Sequence, residues 1–520
     1  MVLFPLTALF QKLLIFLLPF LLLTFQFHRR RRPNPNLPPG PKPFPFIGNL
    51  HEVGDLAYLS FHRLSEKYGP LMHLKLGQVP HIVVSSADMA SEILKSQDSV
   101  FCSRCQLVAL KKFSYGGQDI AFSPFDDHWK RVRRLCNAEV FSFAKVQSFG
   151  AIRRDEVNAL VNSITRACSR REAVNLSEIL LCATNNILFR EVFGKRISAD
   201  GECESSPLKN LLREMMCIMT EFRAEDLFPS MGWIDALTGR RRKLGRTFDK
   251  MDSLFDEEIR ERILILKSRV GGVGGGGGGG GGCSVQEDFL DVLLHLHAAE
   301  EDDQSLTMNE IKAILMNMFA AGAGTLSATI EWGITRLMKN PAAMKRAQAE
   351  VRRVVGDNGK VEESDLQHLH YLKMVIKESL RLHPPGPLPP PRECMKDTKV
   401  AGYDIPAKTR VYVSIWSVGR DPKYWGDDAE DFRPERFENS AVNFKGAHME
   451  FIPFGAGRRI CPGISLAMAG VELVYARLLH EFDWALPYGM VKEDIDLAAN
   501  LGLVCSKKVP LVLVPSPPQT

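Results

Sequence analysis

The chain has little of what marks a secreted, disulfide-stapled or nucleic-acid-binding protein. Its 11 cysteines in 520 residues follow no regular spacing, which excludes a disulfide framework and fits a reducing compartment. Cys102 and Cys105 form a lone C-x-x-C; no second pair completes a zinc set and no thioredoxin-like context surrounds it. A net charge of +5 is small for this length and implies no nucleic-acid partner. The first residues lack a basic start and a small-residue cleavage site, which argues against a removed signal peptide. Glycine crowds into residues 271–282, yet no Gly-Lys-Ser/Thr follows. That excludes a phosphate loop and leaves a flexible connection between helices.

Apolar residues make up 45% of the chain and charged ones 24%, enough for a large globular core. Residues 2–27 are almost wholly apolar and run into His28-Arg29-Arg30-Arg31-Arg32. Their length suits a bilayer span, with the arginines held on the cytosolic side; Lys12 would have to snorkel and Pro19 would kink the helix. Residues 1–28 are therefore read as a transmembrane anchor, 29–50 as a basic, Pro-rich hinge, and 51–520 as one catalytic body. Within it, 71–76 and 81–84 read as strands, and Ser85-Ser86-Ala87-Asp88 as the start of a helix that a serine can cap, with Asp88 in its first turn. Residues 102–127 read as a long loop, 150–265 as successive amphipathic helices, and 309–339 as one long helix. The expected class is mainly α with a small β region.

The stretch that organises the chain is Phe454-Gly455-Ala456-Gly457-Arg458-Arg459-Ile460-Cys461-Pro462-Gly463. A cysteine at the mouth of a helix meets backbone N–H groups and a dipole that favour the thiolate. Gly457 and Gly463 permit a tight turn against a large planar cofactor, and Arg459 could pair with an anionic group on it. A thiolate so held suits the axial ligand of a haem iron. Further motifs accompany it: Glu378-Ser379-Leu380-Arg381, Pro434-Glu435-Arg436-Phe437 and Trp129-Lys130-Arg131-Val132-Arg133, in which Trp129 and Arg133 share a helix face. Together they resemble the cytochrome P-450 superfamily of haem-thiolate monooxygenases, most closely its plant microsomal A-type members. The likeness runs from about residue 37 to residue 515.

The resemblance implies a P-450-like fold with one haem b whose iron is ligated by Cys461. It implies cofactor contacts from Phe454 and Gly463, and propionate contacts from Trp129, Arg133, Arg392 and Arg459. Glu378, Arg381 and Arg436 would form a structural core behind the cofactor. Ala320-Ala321-Gly322-Ala323-Gly324-Thr325 resembles the family's oxygen-binding groove, with Thr325 assisting oxygen activation. Gly324, however, stands where the family carries an acid that relays protons. A lost acid–base partner costs about 10²–10⁴ in rate; water held by Thr325 and Ser327 could take its place. The two glycines also permit close packing against another helix. Met316, Phe319, Ala323, Leu388 and Leu503 would line an apolar substrate pocket, with Leu107, Phe113 and Phe122 as further candidates. The activity implied is NADPH- and dioxygen-dependent hydroxylation of a small hydrophobic plant specialised metabolite. Electrons would come from an NADPH-dependent reductase, with cytochrome b5 and membrane lipid as further partners, at the endoplasmic reticulum with the body facing the cytosol. Desaturation, oxidative coupling, reductase-independent rearrangement and a non-catalytic haem scaffold are the alternatives.

Overall fold

The computed structural model describes residues 35–197, 207–271, 287–299, 304–356, 359–500 and 502–518. The anchor, the first part of the hinge and nearly all of the glycine tract lie outside the described residues. Six helices position the site: α1 (Asp127–Leu135), α2 (Gly150–Arg170), α3 (Leu176–Phe193), α4 (Met308–Lys339), α5 (His370–Leu382) and α6 (Ile464–Glu481). The α4 helix is the axis of the molecule. Thr307 caps it in a box with Glu310, each side chain bonding the other's backbone N–H. It is long and apolar enough to cross a membrane, yet 72% of its most apolar window is buried inside the protein. A helix apolar on all sides is here a core helix. Its N-terminal half joins one hydrophobic cluster with Phe189, Phe193 and Phe255. Ile330, Ile334 and Leu337 join a second cluster built on α2, α5 and α6.

Two small sheets of three and two strands accompany a five-stranded sheet of β1 (Leu71–Leu76), β2 (Val79–Val84), β3 (Ser103–Arg104), β4 (Arg392–Glu393) and β5 (Arg410–Val413), in spatial order β1-β2-β5-β4-β3. The first pair is antiparallel, with Leu71 opposite Val84. The second strand extends two residues further toward the turn than the pattern suggests, and Ser86 caps the following helix through Met89 N–H as expected. Residues 102–127 depart from the loop expected of them: they contain β3 and a helix, Val108–Phe113. Two-residue pairing of this kind leaves no alternation in sequence to detect. Its register matters, because it sets Arg104 directly opposite Arg392.

Among the described residues eight cysteines are free thiols and Cys182 is disulfide-bonded, which is not the framework of a disulfide scaffold. Behind the site, Glu378 receives both Arg381 Nε and Nη2 at 2.7 Å and Arg436 Nε at 2.9 Å. Arg381 Nη1 donates to the Gly419 and Ala429 carbonyls. Glu378 and Arg381 are fully buried and the Arg436 side chain nearly so, and the three residues form a bonded structural knot.

Candidate active site

A cavity of about 380 Å³ separates the middle of α4 from the loop carrying Cys461. On the loop side Gly463 caps α6, and Cys461 N–H donates to the Phe454 carbonyl at 3.0 Å. Phe454, Arg459, Cys461 and Gly463 all line the cavity. Gly457 has φ +69°, and a Cβ there would strike the backbone of Leu94 and the carboxylate of Asp98, so only glycine closes this turn. Burial pushes the Cys461 thiol up, against the Gly463 N–H and Arg133, which pull it down. The Gly463 N–H at the helix mouth acts in the expected direction, and burial opposes it; a coordinated cation would favour the thiolate further.

Arg104, Arg392 and Arg459 converge on the cavity. Burial, followed by the charges of the other two, pushes the Arg459 guanidinium down, and burial with Arg392 does the same to Arg104. Their partners are mostly carbonyls: Arg459 bonds those of Cys102, Ile120 and Ser123, and Arg104 those of Ala121 and Pro390. Arg392 reaches one carboxylate, Asp98, which Arg458 shares. Buried like charges facing each other across strands are unfavourable unless an anion enters among them. Arg133 lines the cavity too, donating to the Ile460 carbonyl at 2.5 Å. A thiol opposite an apolar helix, with guanidinium groups at the rim, fits a haem with its propionates among the arginines. Trp129 stands behind the cavity wall: its indole donates to the Ile120 carbonyl at 3.0 Å, and its ring lies 4.0 Å from the Arg459 guanidinium.

On α4 the cavity meets Asn317, Met318, Ala320, Ala321, Gly322, Thr325 and Thr329. Met316, Phe319 and Ala323 are corrected: they face the opposite core, where Phe319 stacks on Phe193 at 5.5 Å. One residue along a helix turns the side chain by about 100°, and no sequence pattern fixed that rotation on a helix apolar all round. Leu388 is likewise not on the wall and packs beneath β1 and β2, while Pro389 and Leu503 line it. Phe122 lines it, whereas Phe113 is core and Leu107 packs on that core. Thr325 Oγ1 donates to the Ala321 carbonyl at 2.6 Å, which leaves its lone pairs toward the cavity. Ser327 turns away and bonds the Gly324 carbonyl; Thr329 is on the wall in its place. A Cβ on Gly322 would lie 2.8 Å from Leu188 of α3, so this glycine serves close helix packing. At Gly324 a Cβ would meet Val504 at 3.5 Å, an ordinary contact.

Sequence reasoning missed Arg104 and Asn317. Asn317 Oδ1 accepts the Ile120 and Ala121 N–H groups, and its Nδ2 donates to Asp119 at 2.7 Å. It thus pins the loop that roofs the cavity. A polar residue inside an otherwise apolar helix was the available signal.

The fold and this site define a haem-thiolate oxidoreductase. The family model described as Cytochrome P450 matches residues 38–514. Curated relatives include Cytochrome P450 71A1 of Persea americana, 43% identical with 90% of this chain and 91% of that one covered. Premnaspirodiene oxygenase of Hyoscyamus muticus is 44% identical, with 91% of each covered. 5-Epiaristolochene 1,3-dihydroxylase of Nicotiana tabacum is 42% identical over 91% of this chain and 92% of that one. A zebra fish cytochrome P450 solved with abiraterone superposes with TM-score 0.71 at 26% identity, covering 89% of this chain and all of that one. The chain belongs to the cytochrome P450 family and is a monooxygenase of that family.

Proposed function

We propose that the protein hydroxylates a small, largely apolar plant metabolite, and that a terpenoid hydrocarbon skeleton suits it best. The observation that carries this reading is the cavity wall. Toward α4 and the roof it presents Ile120, Ala121, Phe122, Ala320 and Leu503, while charge gathers at the arginine rim. Such a wall selects by shape and burial, at about 25 cal/mol per Å² of apolar surface covered. The names of two relatives, which record oxidation of premnaspirodiene and 5-epiaristolochene, favour the same class.

When bound, the haem supplies dioxygen activation and insertion of one oxygen atom into the substrate. Cys461 Sγ would ligate its iron, and Arg104, Arg133, Arg392 and Arg459 would hold its propionates, Trp129 backing Arg459. Pro389, with φ fixed by its ring, gives the substrate a stiff wall. The roof loop, pinned by Asn317, keeps water from the apolar side. Thr325 Oγ1, its own proton resting on the Ala321 carbonyl, can receive another from the cavity on its free lone pairs. Electrons would come from an NADPH-dependent reductase, with cytochrome b5 as a second donor. The apolar residues 1–28 would hold the chain in the endoplasmic reticulum membrane, with the body in the cytosol.

The test uses membranes carrying the full chain and a reductase, isotopically labelled dioxygen, and premnaspirodiene or 5-epiaristolochene as probes. A labelled, NADPH-dependent alcohol supports the reading. An unlabelled NADPH-dependent product would replace hydroxylation by desaturation or coupling, and a product formed without NADPH would overturn it.

A further inference from the structure

The cavity reaches beyond Thr325, past Gly322 and Leu188, to Glu191 on α3. Glu191 is the only carboxylate among the described residues that line it. The side chain is buried to 2% exposure and its Oε1 accepts no hydrogen bond. Its nearest charge is Arg153 of α2, with Nη1 at 3.5 Å, too long for a good hydrogen bond. The guanidinium is bidentate to Glu363, at 2.8 and 3.0 Å, and Nη1 gives one proton to the Val146 carbonyl at 2.8 Å, which leaves its second proton for the long pair with Glu191. Glu363 is 25% exposed, so the series Glu363, Arg153, Glu191 leads from solvent to the cavity.

A buried carboxyl held by one long ion pair and no good hydrogen bond is costly where an apolar residue would pack, which argues against a merely structural role. We propose that Glu191 is the cavity's proton-holding acid, supplying the Thr325 hydroxyl through cavity water in place of the carboxylate that position 324 lacks. This rests on the oxygenase reading. The proton on a Glu191 oxygen passes through cavity water toward Thr325 as the Thr325 hydroxyl gives up its own, and the Glu191 carboxylate then takes its next proton back from cavity water. Arg153 stays charged throughout and steadies the transient carboxylate. Because Glu191 does not touch the reacting atoms, it is a positioning and proton-supplying residue.

Its surroundings favour the neutral acid. Burial raises its pKa to about 8, with Arg153 lowering it and Glu363 raising it. Other charges on neighbouring elements are already paired. On α2, Glu156 holds Arg190 and Arg196. Asp288 and Asp291 hold Arg262, and Lys312 of α4 holds Asp252 and Asp256.

The experiment uses the full-length holoenzyme with a reductase and no added substrate. Glu191→Gln, Glu191→Asp and the double variant Glu191→Gln with Gly324→Asp are compared with wild type. One readout is the infrared carboxyl band followed against pH. The other is the share of consumed dioxygen released as peroxide rather than reduced to water. Wild type is expected to show a protonated carboxyl band that titrates near the raised value and is missing in Glu191→Gln. Peroxide share should rise about tenfold in Glu191→Gln, recover partly in Glu191→Asp, and recover in the double variant. If Glu191→Gln loses no band, or shares the wild-type peroxide share and pH profile, the proposal falls. A Glu191→Gln protein that will not hold haem leaves the infrared titration of wild type and Glu191→Asp to decide, since an acid ionised at neutral pH overturns it. Failure of wild type to take up dioxygen, with no thiolate signature in its reduced carbon monoxide spectrum, would instead remove the oxygenase reading and the proposal with it.

Discussion

Two clusters of buried arginine lie on either side of the α4–α6 core, and they are built on opposite plans. Around Glu378 every guanidinium group finds its counter-charge inside the protein: one carboxylate takes Arg381 and Arg436 together with the Arg433 N–H. Around the cavity, only Arg392 of the three guanidinium groups bonds a carboxylate, Asp98, while Arg104 and Arg459 lean on carbonyl dipoles and feel Asp119 only at a distance. A closed network rigidifies a fold, whereas an open one costs stability until a ligand closes it. The difference separates a charge set closed within the protein from one left open at the cavity, although both read simply as arginines in sequence.

The comparison breaks most visibly at Glu378. Glu378→Ala strands two buried cations and is expected to cost about 3–5 kcal/mol, seen as loss of folded protein in denaturant titration. Arg459→Leu should do the reverse in the haem-free protein, leaving denaturation unchanged or shifted to higher denaturant. In the holoprotein it should weaken haem retention by about 2 kcal/mol or more, measured by transfer to a haem acceptor. Equal losses for both variants in the haem-free state would erase the distinction. A smaller effect is expected at Asn317→Ala, which frees the roof loop at about 1–3 kcal/mol; product distribution with a terpenoid probe should broaden while haem content holds.

Glu191 gives a pH test. Its folded pKa is raised from 4.5 to about 8, so its contribution to stability is complete below the unfolded value and is lost as pH rises through the folded one. Wild-type melting temperature should therefore carry a decline across that window that Glu191→Gln lacks. Smallest of all, Gly324→Ala should stabilise by up to about 1 kcal/mol, since its methyl meets Val504 at ordinary contact distance; a loss in thermal melting would show that the contact is not tolerated.

Much of this was legible in the sequence where the physics is local. The capped start of α4, the glycine-bearing turn before Cys461 and the Glu378–Arg381 spacing each depend on neighbours within a turn or two. Cys461, Arg133, Arg392 and Arg459 came from such motifs, and the structure places all of them on the cavity. What failed was orientation. Met316, Phe319 and Ala323 are on α4 as expected but on its far side, because a helix buried all round has no polar face to announce its rotation. Arg104 was hidden in a two-residue strand whose partner lies 288 positions away.

By itself the sequence determined the chemistry available: one thiol on a helix mouth, a set of arginines, a threonine and no acid beside it in an apolar helix. Those follow from residue identity and short spacing, which need no fold to be read. Only the tertiary structure decided which charges remain unanswered, which face of α4 meets the cavity, and that a lone carboxyl on α3 opens into it. These are properties of non-local packing, where burial turns an ordinary side chain into a costly one unless function requires it.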